Sequence, residues 1–228
     1  LEKRYTSGLS LLASYTYSHS IDDVGETDSN AQGNGVQNNY DLLRNRGNST
    51  FNIPQVFIAS VIYDLPVGKG RKWMNARGPA DWVLGGWQVA GIVSGRSGIP
   101  FTPVVSTDIA NVGNTNHPNR NGSGVLSSGQ SINDWFNIAD FSIPAAYTYG
   151  NSGRAILRGP DLKSLDLKVG KSFQIAETRR LEFRCEMFNF TNTPHFDLPN
   201  ESVNLPQGGK ITGAEAPREI QFGLKFVF

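Results

Sequence analysis

The sequence predicts an all-β fold: an antiparallel up-and-down meander of about six strands, the C-terminal part of a transmembrane β-barrel with long extracellular loops. Three observations predict it. Apolar side chains recur at every second position in six segments, the connections between these segments alternate between long and short, and the last segment ends on Phe228. Side chains alternate faces along a strand. Each segment therefore has one apolar and one more polar face, as the strands of a membrane barrel do.

Composition agrees with strands rather than membrane-spanning helices. The chain has 228 residues, of which 38% are hydrophobic, and its longest nearly apolar run, residues 56–63, is only as long as a strand. A transmembrane strand needs about 9–11 residues, of which half are free to be polar. The net charge of +1 provides no basic field, so no nucleic-acid partner is expected. The single Cys185 excludes an intrachain disulfide framework.

The first half of the chain contains three of the alternating segments, over residues 9–18, 51–65 and 83–101, after a turn at residues 5–8. The Asn- and Gly-rich residues 21–48 separate the first two, and residues 66–70 end the second. On the third strand, Arg96 is expected to face the lumen. The side chains expected to face outward to lipid are Leu9, Leu11, Tyr15, Phe57, Val61, Trp87 and Val89.

The second half contains the other three segments, over residues 162–173, 179–190 and 220–228. Their expected outward side chains are Leu165, Leu167, Leu181, Phe183, Ile220, Phe222, Leu224 and Phe226. The expected lumen charges, with Arg96, are Asp166, Lys168, Arg180, Glu182, Arg184 and Glu186. These charges suit a substrate or ion path, or a wall of mutually paired charges, and the second interpretation is favoured.

Connection lengths supply an independent argument for a barrel. The connections after the first, third and fifth strands are long, whereas those after the second and fourth are shorter. Counted back from a periplasmic C-terminus, every long connection falls on the extracellular side, as in outer-membrane barrels.

Charge also predicts the register of the hairpin formed by residues 162–173 and 179–190. Placing Leu167 opposite Phe183 brings Lys168 against Glu182 and Asp166 against Arg184, two attractive pairs. A shift of two residues one way creates repulsive pairs. A shift of four residues in the same direction keeps Lys168 near Glu186 but leaves Asp166 facing Phe188 and lengthens the turn, so we expect a tight loop at residues 174–176.

Four runs of the chain resemble Oar-like TonB-dependent outer-membrane receptors. They are GL at residues 8–9 with ASYTYS at 13–18 and IDD at 21–23, YDLPVGKG at 63–70, LGGWQVAGI at 84–92 and FRCEMFNFTN at 183–192. The resemblance implies a barrel of about 22 strands around a plug, preceded by a carboxypeptidase-regulatory-like domain and a TonB-contacting segment. Residues 1–228 would then be a single partial barrel domain without plug or regulatory-like domain, the C-terminal part of a longer precursor.

The resemblance implies a location and partners. The location is the outer membrane of a Gram-negative-type bacterium, and the implied role is energised uptake of a ligand. The implied partners are outer-membrane lipid, the missing N-terminal barrel strands and plug, TonB, an extracellular ligand of unknown identity and the insertion machinery. That machinery would read a C-terminal assembly signal made of Phe222, Leu224, Phe226 and Phe228.

Five aromatic residues of the long segment 102–161 are the ligand-contact candidates: Trp135, Phe136, Phe141, Tyr147 and Tyr149. The alternative, which is favoured, is that they pack this loop against itself. No cofactor, metal site or catalytic set is predicted, because His19, His117 and His195 are isolated in sequence; the last two are expected to be solvated loop residues. The chain is therefore not expected to be an enzyme.

Two other functions remain open at this point. The chain could be a surface-displayed adhesion or assembly module without transport activity. It could also be a soluble secreted β-sandwich binding domain, in which the outward side chains would meet one another in a closed interior.

Overall fold

A computed structural model describes residues 1–23, 36–74, 78–113 and 116–228. Its main feature is one seven-stranded antiparallel sheet whose strands are neighbours in chain order, so the predicted all-β up-and-down fold is confirmed. The strands are β1 (Glu2–Thr6), β2 (Leu9–Tyr17), β3 (Gln55–Asp64), β4 (Trp87–Arg96), β5 (Leu162–Gln174), β6 (Arg180–Phe188) and β7 (Glu219–Val227).

Short elements occupy the connections. One α-helix, α1 (Pro79–Leu84), lies between β3 and β4, and 3-10 turns cover Leu42–Asn45 and Ile138–Asp140. No helix in the described ranges is long and apolar enough to cross a membrane. Three two-residue strand pairs lie in the long connections: Ile21–Asp22 with Gly47–Asn48, Pro100–Phe101 with Leu157–Arg158, and Asn119–Arg120 with Phe141–Ser142.

The strands of the sheet differ from the prediction in number and in bounds: the described residues form seven, and those predicted over residues 51–65 and 83–101 are Gln55–Asp64 and Trp87–Arg96. Strand β1 was not predicted, and only a turn was expected at residues 5–8, because the charged residues of β1 show no apolar alternation. It nevertheless pairs with β2, with Lys3 opposite Leu11. The third strand begins at Trp87 rather than at residue 83, because Val83 and Leu84 belong to α1. That helix has Pro79 in its first turn, where a missing N–H costs nothing.

The predicted outward side chains do share one face. Cα partners run in one row from Leu11 to Val61, Gly91, Leu167, Met187 and Ile220 across six strands. None of the predicted outward residues is buried, and Phe222 and Leu224 are 72% and 70% exposed. No second sheet among the described residues covers this face, so the closed interior of a β-sandwich is absent from them.

The predicted register of β5 and β6 is wrong. Leu167 lies opposite Met187 instead of Phe183, and Lys168 lies opposite Glu186. The turn decides the register: Arg179 N–H donates to the Ala176 carbonyl (3.2 Å) and Ile175 N–H to the Arg179 carbonyl (2.9 Å). Asp166 needs no cross-strand cation, because it accepts from the Asn189 backbone N–H at 2.8 Å. Cross-strand charge pairs are worth only about 0.2–1 kcal/mol, too little to override the turn.

The buried core lies in the long connections instead of on the sheet. Phe101, Phe136, Phe141 and Leu157 form it, with exposed fractions between 1% and 7%. We call the described parts of residues 18–54, 97–161 and 189–218 the loop layer. All three connections leave the same end of the sheet, as the alternation of lengths predicted.

Candidate functional site

Arg154 joins two connections of the loop layer. Its side chain is 1% exposed, and its guanidinium donates to the Asn45 carbonyl (3.0 Å), to the Asp22 carbonyl (2.8 Å) and to the Asp22 carboxylate. Arg158 makes a second link, from Nη1 to the Asn52 carbonyl at 3.0 Å. Residues more than 100 positions apart are thereby fixed against each other, so the loop layer presents a defined surface.

The third connection is attached by backbone bonds. Val104 N–H donates to the Glu201 carbonyl (3.0 Å), Val203 N–H to the Val104 carbonyl (2.9 Å) and Trp135 N–H to the Gly209 carbonyl (2.8 Å). Burial raises the pKa of the Glu201 carboxyl to about 8. The carboxyl is therefore neutral below that pH. Its Oε2 has no hydrogen-bond partner among the described residues.

The predicted ligand-contact aromatics separate into two groups. Phe136 and Phe141 are in the core with rings 5.9 Å apart, and Trp135 packs against it while its Nε1 donates to the Arg158 carbonyl at 2.8 Å. These three lie where the packing interpretation put them. Tyr147, by contrast, is 78% exposed, and Tyr149 is half-buried. Ligand contact by the two tyrosines stays a prediction.

Tyr149 lines a cavity of about 500 Å³ between two connections of the loop layer. Gln37 closes one wall: its Oε1 accepts from His117 N–H (2.7 Å) and its Nε2 donates to the Gly150 carbonyl (3.1 Å). Asp41 and Arg44 pair at 2.9 Å on its border, so their charges cancel. The volume falls in the range of about 300–1,000 Å³ that small-molecule sites occupy. This cavity was not predicted, because no sequence motif links residues 37–45 to residues 149–153.

Two histidines differ from their predicted solvated state. His117 is 2% exposed with Nδ1 2.9 Å from the Ser152 carbonyl, and His195 is 9% exposed with Nε2 3.0 Å from the Lys163 carbonyl. Adjacent prolines suggested exposed loops, but these loops pack on one another. Among the described residues, no group of three or more His, Cys, Asp or Glu side chains is arranged to hold a metal ion.

The inner face of the sheet carries the seven predicted lumen charges, and five of them lie beside an opposite charge. Lys168 lies 3.8 Å from Glu186, Arg180 is 2.7 Å from Glu182, and Gln221 donates to Glu186 at 2.6 Å. Arg184 lies beside Glu186 at 4.0 Å and opposite Gly223, where a β-carbon would meet its Nε at 2.6 Å. Arg96 shares the face by register, opposite Leu162. These contacts form a wall of mutually compensating charge.

Beside the charges lies an apolar strip of the inner face that sequence reasoning missed. It consists of Leu12, Ile58, Ile62, Ile92 and Phe188, each between 41% and 55% exposed. The register places Ser60 opposite both Leu12 and Ile92, so the strip crosses β2, β3 and β4. The apolar run at residues 56–63 is its sequence signal, because a run without alternation makes both faces of a strand apolar.

A family model described as an outer membrane beta barrel domain matches residues 1–221. The chain belongs to this outer-membrane β-barrel family. No curated protein and no solved structure matches the chain significantly. Family membership places the protein in the outer membrane, in association with lipid, and rules out the soluble secreted β-sandwich.

In an outer-membrane barrel the terminal strand β7 carries its apolar side chains toward lipid. Phe222 lies opposite Cys185, with its ring stacked 6.3 Å from Phe183, and the Phe226 and Phe228 rings are 6.0 Å apart. Phe228 is 90% exposed. The predicted assembly signal is thus accessible from outside the sheet, and its recognition by the insertion machinery stays a prediction.

Proposed function

We propose that this chain is the C-terminal strand block of a larger Oar-like TonB-dependent receptor, taking part in energised uptake of a ligand rather than in catalysis. In this proposal the plug, the regulatory-like domain and the TonB-contacting segment precede the chain in the same polypeptide. The ligand first meets the loop layer at the extracellular side.

The observation that carries the proposal is the open sheet. Strands β1 and β7 each have a single neighbour among the described strands. The smallest single-chain barrels have about eight strands, which supports a barrel completed by further strands that pair with these edges. An inner wall of compensating charges and an exposed apolar strip suits a lumen that is filled by a folded plug better than one open to water.

The test uses the full-length protein and the periplasmic domain of TonB. We expect the purified receptor to bind this domain, and deletion of the segment preceding its plug to abolish binding. Cells lacking the receptor gene and cells lacking TonB are then grown on a panel of single nutrients. Both strains should fail to grow on the same nutrient. Absence of TonB binding, or a coding sequence without a plug upstream, would refute energised uptake.

A second function is favoured by one feature, the separate core of the loop layer. Phe101, Phe136 and Leu157 make the loops a folded surface structure, which suits adhesion or surface assembly as well as ligand capture. Under this alternative, loss of the gene would impair attachment of cells to a surface or to one another, and loss of TonB would leave attachment unchanged.

A further inference from the structure

Helix α1 lies on the outward side of the sheet, at the end opposite the loop layer. The Trp82 ring packs 5.0 Å from the ring of Phe173, and Trp87 Nε1 donates to the Val83 carbonyl at 3.0 Å. Trp87 and Phe173 both belong to the face that turns toward lipid, because Trp87 lies opposite Lys171 and Phe173 opposite Leu181. The helix therefore sits outside the barrel wall.

Lys171 is the one charged residue in its row, between Trp87 and Phe183, and it explains how the helix is held. Its Nζ donates to the carbonyls of Trp82 (2.6 Å) and Val83 (3.0 Å), and the side chain is 7% exposed. The last carbonyls of a helix have no partner within the helix and carry partial negative charge. In a lipid environment such groups need an internal partner, and Lys171 supplies it.

With its backbone secured, α1 leaves apolar side chains about half exposed. Trp82, Val83 and Leu84 are 56%, 52% and 46% exposed. Nearby in the same connection, Trp73 and Met74 are 55% and 52% exposed. A closed barrel places no strand outside its own wall, so the barrel strands themselves leave this surface uncovered.

We propose that α1 is an interfacial anchor that inserts Trp82, Val83 and Leu84 into the inner, phospholipid leaflet of the outer membrane. The surface is continuous with the lipid-facing band of β4 and β5, and tryptophan prefers the boundary between acyl chains and headgroups. Lys69 and Lys72 form no ion pair in the described part of the chain. They give this rim positive charge that complements the phosphates of anionic phospholipid. The inference rests on the barrel fold and is independent of TonB.

The test is quenching of tryptophan fluorescence by brominated phospholipid. The full-length protein is placed in vesicles whose lipids carry bromine either near the headgroup or near the acyl-chain end. Trp82→Phe should remove fluorescence that shallow bromine quenches. The matched control, Trp135→Phe, removes an indole that is fixed in the loop layer and should leave the quenchable part unchanged. The interfacial placement would be overturned if both variants removed the same amount of quenchable fluorescence. It would also be overturned if Trp82→Phe removed only fluorescence that is quenched by bromine near the acyl-chain end.

Two further variants separate anchoring from misfolding. Lys171→Met should shift the Trp82 emission to longer wavelength and reduce its quenching, because the helix loses its hydrogen bonds, whereas Lys171→Arg should preserve both. Lys69→Gln with Lys72→Gln should remove any extra thermal stability that phosphatidylglycerol provides over phosphatidylcholine. Unchanged emission in Lys171→Met, an unchanged lipid preference, or a second copy that shields Trp82 from bromine would each contradict the proposal.

Discussion

Replacing Arg154 by alanine should open the loop layer while leaving the sheet intact. The guanidinium satisfies the Asn45 carbonyl, the Asp22 carbonyl and the Asp22 carboxylate, and its removal leaves all three without that partner. Breaking a buried ion pair costs about 3–5 kcal/mol. Because the Asp22 side chain is 29% exposed and water can reach it, we take the lower end, about 3 kcal/mol.

Hydrogen exchange of the full-length protein, read by mass spectrometry, measures this cost locally. A loss of about 3 kcal/mol corresponds to roughly a hundredfold faster exchange, expected for amides of residues 36–53 and 147–158. Amides of β3 and β4 should keep their protection. The matched control is Arg120→Ala, since Arg120 is exposed and its guanidinium donates to the nearby Gly122 and Ser123 carbonyls. Unchanged exchange in Arg154→Ala would refute the assignment of Arg154 as the link between connections.

Three other predictions concern separate parts of the chain. Between pH 4.5 and about 8 the Glu201 carboxyl is protonated in the folded loop layer but ionised in the unfolded chain. The free energy of unfolding of the loop layer should therefore fall as pH rises through this range, by up to about 1.4 kcal/mol per pH unit. Glu201→Gln should remove that slope in limited proteolysis, and an identical slope would contradict the cause. Deleting Phe228 should lower the amount of full-length protein inserted in the outer membrane without altering its loop-layer exchange; normal insertion would count against the assembly signal. Phe136→Ala should destabilise the loop layer by about 3–5 kcal/mol, whereas Tyr147→Ala, at a 78% exposed position, should leave protease resistance unchanged.

Strand faces were predictable because lipid imposes them. Every outward position that alternation assigned, from Leu9 to Phe226, lies on one face, since a period of two holds wherever a strand has different solvents on its two sides. Strand β1 was not predicted, because Glu2, Lys3 and Arg4 show no apolar alternation. Helix α1 was not predicted, because Val83 and Leu84 continue the apolar pattern of the strand that follows.

The register of β5 and β6 and the packing of the loop layer could not be predicted from the sequence, for different reasons. Side-chain charge predicted the wrong register for β5 and β6, because the energies of charge pairs are small compared with the constraint of the turn at residues 175–179. That turn places Lys168 opposite Glu186, a pairing that charge alone did not favour. The loop core joins Phe101 to Phe136 and Leu157 across aperiodic segments, where no period marks which side chains are inside. The link from Arg154 to Asp22 spans 132 positions, a separation that no local pattern encodes.

The two structural regions of this chain obey different rules for burial. On the sheet, Phe222 and Leu224 are exposed to solvent in isolation because their natural partner is lipid, so the protein itself contributes little packing there. In the loop layer, Phe101 and Phe136 are buried against each other in water-facing structure, as in a soluble domain. Substitutions in β7 should therefore alter insertion without changing the loop surface, and substitutions such as Arg154→Ala should alter the loop surface without changing insertion. Lys171 follows from the rule for the sheet, because its charge on the lipid face is satisfied by the two carbonyls that α1 supplies.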